Sequence, residues 1–396
     1  MNASLPLEGI KILDLSRVLA LPFATMILSD LGAEVIKVER PALGDETRHW
    51  GPPFLGSESA YFLCVNRNKK SITVDIKKKE GQKIIHDLAS ICDVFVENYK
   101  VGELKKYSLD HENIKKINPS IVYCSLTGYG QNGPKSHLPG YDFIMQGESG
   151  LMSITGSLKG QPMKVGVAIL DIVSGLYAAV AILASLLKRQ KVNQSEYIDL
   201  ALYDCAVASL ANVASNYLVG GKIPKRYGNA HPNIVPYQTF KAKDKYFNLA
   251  VGNDEQFQKL TELLSEKSLK QEKFRKNADR VRNRKELIKI LQSIFVTKNA
   301  SYWVELFQLH NIPAGHINNL KEVFEDDQLF ARNMINAIKH PFGTLNFVGS
   351  PLKLMNSSIK KPQNSPLLGQ DTMGVLKNLL HYKKTDIEYL KNQNII

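Results

Sequence analysis

Cysteine is scarce in this chain of 396 residues. Cys64, Cys92, Cys124 and Cys205 lie far apart, and none makes a C-x-x-C pair. That spacing suggests neither a zinc site nor a disulfide framework, and a reducing compartment is the expectation. Long apolar runs are lacking too. The best stretch, residues 165–187, is broken by Asp171, Ser174 and Ser185. No transmembrane helix is expected, since spanning takes about 18 or more apolar residues in a row. Two familiar fingerprints are missing: no G-x-G-x-x-G joins the first strand and helix, and there is no G-x-S-x-G elbow. The histidines, among them His137, His231, His310, His316 and His340, are scattered rather than clustered, so no metal site is expected. Acidic residues are outnumbered, 38 against 51 basic, for a net charge of +13. The basic residues are spread along the chain and match no common nucleic-acid motif, so no nucleic-acid partner is expected. Solvated lysine runs such as Lys77-Lys78-Lys79 account for part of the excess, and a polyanionic ligand is one candidate for the rest.

What is present reads as a globular α/β protein, 44% hydrophobic and 22% charged, long enough for two domains. The N-terminus enters a strand-like pattern within ten residues. That leaves no room for a signal or transit peptide and predicts a cytoplasmic location, mitochondrial only if a longer precursor exists. Ile10–Leu15, a helix from about Pro22 to Leu31 and Ala33–Val38 form a β-α-β unit, which predicts a parallel sheet. Further strands are expected at Ser71–Ile76, Val94–Glu97, Ile121–Leu126 and Glu196–Leu200. Helices are expected at about Gly81–Ile91, after a cap at Asp110, and from Asp204 to about Leu218. Arg40 and Asn98-Tyr99-Lys100 fall at strand carboxyl ends, where open α/β sheets bind ligands. Arg40 is equally suited to an anion or to a neighbouring acid. The loop Thr127–Pro134, TGYGQNGP, is of a kind that cradles anions, though the signal is weak alone.

Gly220–Pro224 is the clearest linker. Beyond it a hairpin, Tyr237–Phe240 with Tyr246–Val251, and helices at Asp254–Leu264, Lys285–Phe295 and Tyr302–His310 predict a small α+β domain. The boundaries read as 1–219 for the large domain, 220–235 linker, 236–325 small domain, 326–340 linker, and 341–396 returning to the large domain.

The most informative stretch is Val165–Arg189. Apolar residues recur at helical spacing for about five turns, and Gly175 with several alanines lets a neighbouring backbone come close. Asp171 sits near the start of this helix. The commonest role for aspartate there is capping. The other reading is chemical: donors at a helix start favour the ionised carboxylate, and an oriented, partly desolvated carboxylate attacks an activated acyl group.

Laid out in order, PLEGIKILDLSRVLALPFATMILSDLGAEVIKVERP, GDETRHWGPPF, NRNKKSITVDI, DVFVENY, NPSIVYCSLTGYGQNGP, GYD, the Asp171 segment and LLGQDT resemble the class III CoA-transferases, the CaiB/BaiF family, over nearly the whole chain. VNRNKKSI, NRKELIKIL and IVPYQTFK resemble most the branch that moves CoA between succinyl-CoA and dicarboxylates such as glutarate or hydroxymethylglutarate. The resemblance implies a Rossmann-like parallel-sheet large domain with an inserted small α+β domain, in an interlocked homodimer. It implies Asp171 as the nucleophile. The family's CoA contacts fall on Leu19, Ala20, Arg40, Lys77, Asn98, Tyr99, Lys100, Lys106, Tyr141 and Asp142. No permanently bound cofactor is implied; coenzyme A and acyl-CoA are substrates, and no membrane partner is expected. Leu21 stands where the family usually has glycine and is expected to crowd the CoA entrance. The glycine-rich tetrad of formyl-CoA transferases is replaced by AVGNDEQF, so formyl-CoA and oxalate are not expected substrates.

The implied chemistry is double displacement through an aspartyl-CoA thioester on Asp171. Two alternatives stand beside it. An α-methylacyl-CoA racemase shares the fold, but its histidine falls on Tyr141, and a phenol of ordinary pKa near ~10 is a poor base at neutral pH. A non-catalytic CoA-binding protein would bind CoA without exchange.

Overall fold

The computed structural model describes residues 5–396. The chain divides into two compact units, one built from residues up to 151, 165–221 and 330–396, the other from 152–164 and 222–329.

The first unit is organised by β1 (Lys11–Asp14), α1 (Ala20–Asp30), β2 (Glu34–Glu39), β3 (Lys69–Thr73), α2 (Lys79–Ile91), β4 (Val94–Glu97), α3 (His111–Ile117), β5 (Val122–Thr127), α4 (Asp142–Glu148), α5 (Ile169–Val192) and β6 (Glu196–Ala201). The strands pair in parallel in the order β3-β2-β1-β4-β5-β6. Ile12 lies opposite both Val35 and Val94, and Leu126 opposite Leu200. Period-two alternation feeds two cores. Ile12, Val94, Val96, Val122 and Cys124 face α1 and α5. Leu13, Ile36, Phe95 and Tyr123 face α2, α3 and the C-terminal helices. Those last helices are Thr372–Asn378 and Lys384–Asn392, and Val375, Ile387 and Leu390 enter the second core. The strand order reverses direction between β1 and β4, and such switch points open a crevice at the strand carboxyl ends.

By length and composition α5 suffices to cross a bilayer. Here one of its sides packs on α1. A Cβ at Gly175 would stand 2.4 Å from the Ala20 carbonyl oxygen, so only glycine permits this approach of helix to backbone.

The second unit has a three-stranded antiparallel sheet of Tyr237–Lys241, Tyr246–Ala250 and Ala314–His316. It encloses an aromatic core in which Phe295 meets Phe240, Phe247, Trp303 and Phe307 edge-on.

Four expectations are corrected. The helix expected from Asp204 to Leu218 is two, Leu202–Ser209 and Ala211–Gly220, because Ala211 takes a left-handed φ of 43°. Residues 326–340 are not a bare linker: Ile335–His340 is a strand that pairs antiparallel with Gly343–Val348. Residues 152–164 belong with the second unit, where Gly156 O accepts from Gly228 N and Arg226 donates to the carbonyls of Ser157 and Gly160. Asp110 precedes α3 but its side chain does not cap it; the carboxylate accepts from the Asn113 side chain instead.

Candidate active site

Asp171 is the third residue of α5, whose N-cap position is Ala168 and which has no side-chain cap bond. The capping role is therefore not what Asp171 performs. The expectation of a carboxylate favoured in its ionised form is also overturned. Burial, and then the nearby charge of Asp142, push the Asp171 carboxyl up to about 7.

The crevice at the switch point is a cleft of about 460 Å³, and Asp171 lies on its wall. Leu19, Ala20, Asn98, Tyr99, Lys100 and Tyr141 line the same cleft. A second cleft of about 560 Å³ is lined by Arg40 and Lys77 and shares Arg17, Tyr99, Lys100 and Glu103 with the first. Seven of the expected residues thus meet around one opening, and two more lie in the adjoining one.

Local chemistry explains how these residues are held. The Asn98 side chain accepts from Arg17 N at 2.9 Å and donates to Arg17 O at 2.8 Å, tying the end of β4 to the loop after β1. In that loop Val18 has a φ of 69°, a costly conformation for a β-branched residue. Its N–H points at the Asp45 carboxylate, 3.2 Å away. Asp45 in turn lies 2.9 Å from the fully buried Lys37 ammonium, which also donates to Ser16 O. This buried charged scaffold beneath the cleft, extended by Asp14, Lys69, Glu39 and Arg48, has no counterpart in the sequence reading. Four of its members fall within residues 37–48 and two, Asp14 and Lys69, come from other strands, and their types and spacing match no motif.

Arg40 meets its neighbouring acid: its guanidinium is 3.3 Å from Glu46 Oε1, which Arg17 also approaches at 2.7 Å. Arg40 and Lys77 remain exposed at the second cleft. Lys106 lines neither cleft and pairs with Glu103 at 2.6 Å, while Glu103 itself borders both. Asp142 is buried, its oxygens turned inward to accept from Leu170 N and Gln146 Nε2. Leu21, in the first turn of α1, is fully buried in the core and lines neither cleft, so the expected crowding does not arise. The Gly-rich loop contributes Gly128 to the cleft wall, but the N–H groups of Gly130 and Gln131 are taken by Thr127 and Asp199 and are not an anion cradle.

Tyr61 is a neighbour the sequence did not single out. Burial and the charge of Asp171 push its phenol up to about 12, which places it in electrostatic reach of the carboxylate. Its ring meets Trp50 edge-on at 5.2 Å. Only its position between GDETRHWGPPF and NRNKKSITVDI hinted at a role. Among the described residues no group of three or more His, Cys, Asp or Glu is arranged to hold a metal ion.

Comparison with known proteins places the chain in a family. Residues 7–372 match the model of CoA-transferase family III. The chain is 49% identical to the succinyl-CoA:glutarate CoA-transferase of Mus musculus, over 99% of this chain and 90% of that one. It is 41% identical to the succinate–glutarate CoA-transferase of Agrobacterium fabrum, over 97% and 98%. A crystal structure of a CaiB/BaiF family protein from Brucella suis, 42% identical, superposes with a TM-score of 0.84 over 96% of this chain and 100% of that one. These matches along almost the whole length make the chain a member of CoA-transferase family III.

Proposed function

We propose that this enzyme transfers CoA from succinyl-CoA to glutarate or a dicarboxylate of similar length, with Asp171 as the nucleophile. The observation that carries the reading is the position of Asp171 on the wall of the cleft that also receives Leu19, Ala20 and Asn98–Lys100. The similarity to succinyl-CoA:glutarate CoA-transferases supports the choice of substrates.

The Asp171 carboxylate attacks the thioester carbonyl. The C–S bond breaks, CoA thiolate leaves, and a mixed anhydride of Asp171 and succinate forms. The thiolate then attacks the aspartyl carbonyl and expels succinate, leaving an aspartyl-CoA thioester. The acceptor carboxylate attacks that thioester, releases the thiolate again, and forms a second anhydride. Thiolate attack on the acceptor's acyl carbon regenerates the Asp171 carboxylate and releases the new acyl-CoA. Thioester energy is conserved because water takes no part. Arg40 and Lys77, at the second cleft, supply cations for the phosphates of CoA.

We take α5 as a core helix and the assembly as the family's interlocked homodimer. The open side of α5 carries exposed Leu176, Tyr177, Val180 and Leu187, a face suited to a second copy. Purified protein is mixed with succinyl-CoA and a panel of free dicarboxylates, and acyl-CoA products are followed by mass spectrometry. Glutaryl-CoA formed by the wild type and not by Asp171→Ala supports the reading. Turnover retained by Asp171→Ala removes that residue from the mechanism.

A further inference from the structure

The chain leaves the first unit at Leu151 and re-enters it at Val165, six residues before Asp171. Something must hold the re-entering segment, because the reacting carboxylate rides on it. Two buried side chains of α4, one turn apart, reach it. Asp142 Oδ2 accepts from Leu170 N at 2.8 Å, across 28 residues of sequence. Gln146 Oε1 accepts from Val165 N at 2.8 Å. The two are joined to each other, Gln146 Nε2 donating to Asp142 Oδ1 at 2.6 Å. Gln146 is fully buried and Asp142 is 8% exposed, so each interaction is shielded from water. Together they grip the segment 165–170 at both ends.

We propose that Asp142 and Gln146 form a clamp on residues 165–170 that positions the carboxylate of Asp171 for attack. The inference rests on the reading of Asp171 as nucleophile, and it assigns Asp142 a place behind the nucleophile rather than against CoA. Both clamp residues act through the backbone and are positioning residues. The negative charge of Asp142 adds a second effect. It opposes the charge of Asp171, and that repulsion ends when Asp171 is acylated and becomes neutral. The carboxylate pair thus favours the covalent intermediate over the resting enzyme.

The test uses the full-length enzyme with succinyl-CoA and glutarate. Gln146→Met has similar volume and loses both hydrogen bonds. Asp142→Asn keeps an acceptor for Leu170 N and loses the charge. Each variant is expected to lower kcat by about 10- to 100-fold, since displacements near 1 Å at a reacting group have that effect. KM for succinyl-CoA is expected to stay within about twofold of wild type, as for a group that acts only on the chemical step. Intact-protein mass spectrometry should show the CoA adduct on Asp171 forming more slowly by the same factor. The double variant should be little worse than the poorer single one, because the two residues act as a unit. Wild-type kcat in both variants overturns the clamp. So does a loss confined to KM, which would make Asp142 a CoA contact, and so do independent, multiplicative losses. Loss of CoA binding together with a lowered melting temperature in both variants would reduce the pair to a structural role and also overturn it. Asp171→Ala runs in parallel: if it still turns over, the nucleophile reading fails whatever the clamp variants do.

Discussion

Gly175 in α5 lies so close to Ala20 that a Cβ on the glycine would stand 2.4 Å from the Ala20 carbonyl oxygen. One turn of helix separates Gly175 from Asp171, and Ala20 lines the cleft. This tight approach helps set the distance between the expected CoA contact Ala20 and the expected nucleophile. Gly175→Ala is expected to destabilise the protein by about 1–3 kcal/mol, the usual cost of forcing extra volume into a packed contact. It should also lower kcat/KM, because α1 must move away from α5. Urea unfolding and steady-state exchange kinetics on the same preparation check both.

The Asp171 carboxyl, pushed up to about 7 by burial and by Asp142, makes the reaction sensitive to pH. Only the ionised form attacks. Activity is expected to fall as pH drops below about 7, approaching tenfold per pH unit. The folded protein holds this proton more tightly than the unfolded chain. The stability associated with the raised pKa is fully present below the ordinary aspartate value and is lost as pH rises through about 7. Asp171→Asn, which cannot ionise, should therefore raise the melting temperature at pH 8 and have little effect at pH 4. A pH–rate profile and thermal melts at the two pH values test the two halves separately.

Lys37 and Asp45 form a fully buried ion pair under the strained Val18 loop. Burial opposes the charge on Asp45, but Lys37 and the Thr47 N–H outweigh it and hold the carboxyl down to about 2. Its contribution to stability is present above the ordinary aspartate pKa and is lost as pH falls through about 2. Lys37→Met leaves Asp14 and Asp45 without this cation and is expected to cost about 3–5 kcal/mol. The double variant Lys37→Met with Asp45→Asn should recover part of that loss. Denaturant midpoints of the single and double variants measure the coupling.

Arg40 and Lys77 lie exposed at the second cleft, where the reading places the phosphates of CoA. Arg40→Ala and Lys77→Ala are each expected to raise KM for succinyl-CoA by roughly tenfold, as losing about 1.4 kcal/mol of charge-assisted binding would. kcat should stay near wild type, since neither group lies in the cleft with Asp171. Steady-state kinetics at two salt concentrations checks this, and the variants should show a weaker salt dependence of KM.

Much of the fold was legible because its signals are local. The alternation in IKILDL and AEVIKV marks strands, and the spacing from Ile172 to Leu187 marks a helix. Val94–Glu97 was placed to the residue, and the helix expected at Asp254–Leu264 matches its observed bounds. The strand Ile335–His340 was missed because INAIKH has only two β-branched residues and no aromatic among its six; its pairing with Gly343–Val348 supplies what propensity does not. The break at Ala211 was invisible for the opposite reason, since alanine is the strongest helix former and tertiary context overrode it.

The chain by itself determined the succession of the main sheet strands and the family, and it singled out the aspartate on which the chemistry is expected to turn. These rest on short-range pattern and on the succession of matching segments. Tertiary structure alone decided what surrounds that aspartate. Asp142, expected beside CoA, is turned inward onto Leu170 N, and Leu21, expected at the entrance, is in the core. Lys37 and Asp45 are joined beneath a loop that neither belongs to. Such pairings join positions brought together by the crossing of helices over the sheet. A carboxylate's protonation, and the direction in which a side chain points, depend on those neighbours in space rather than on neighbours in sequence.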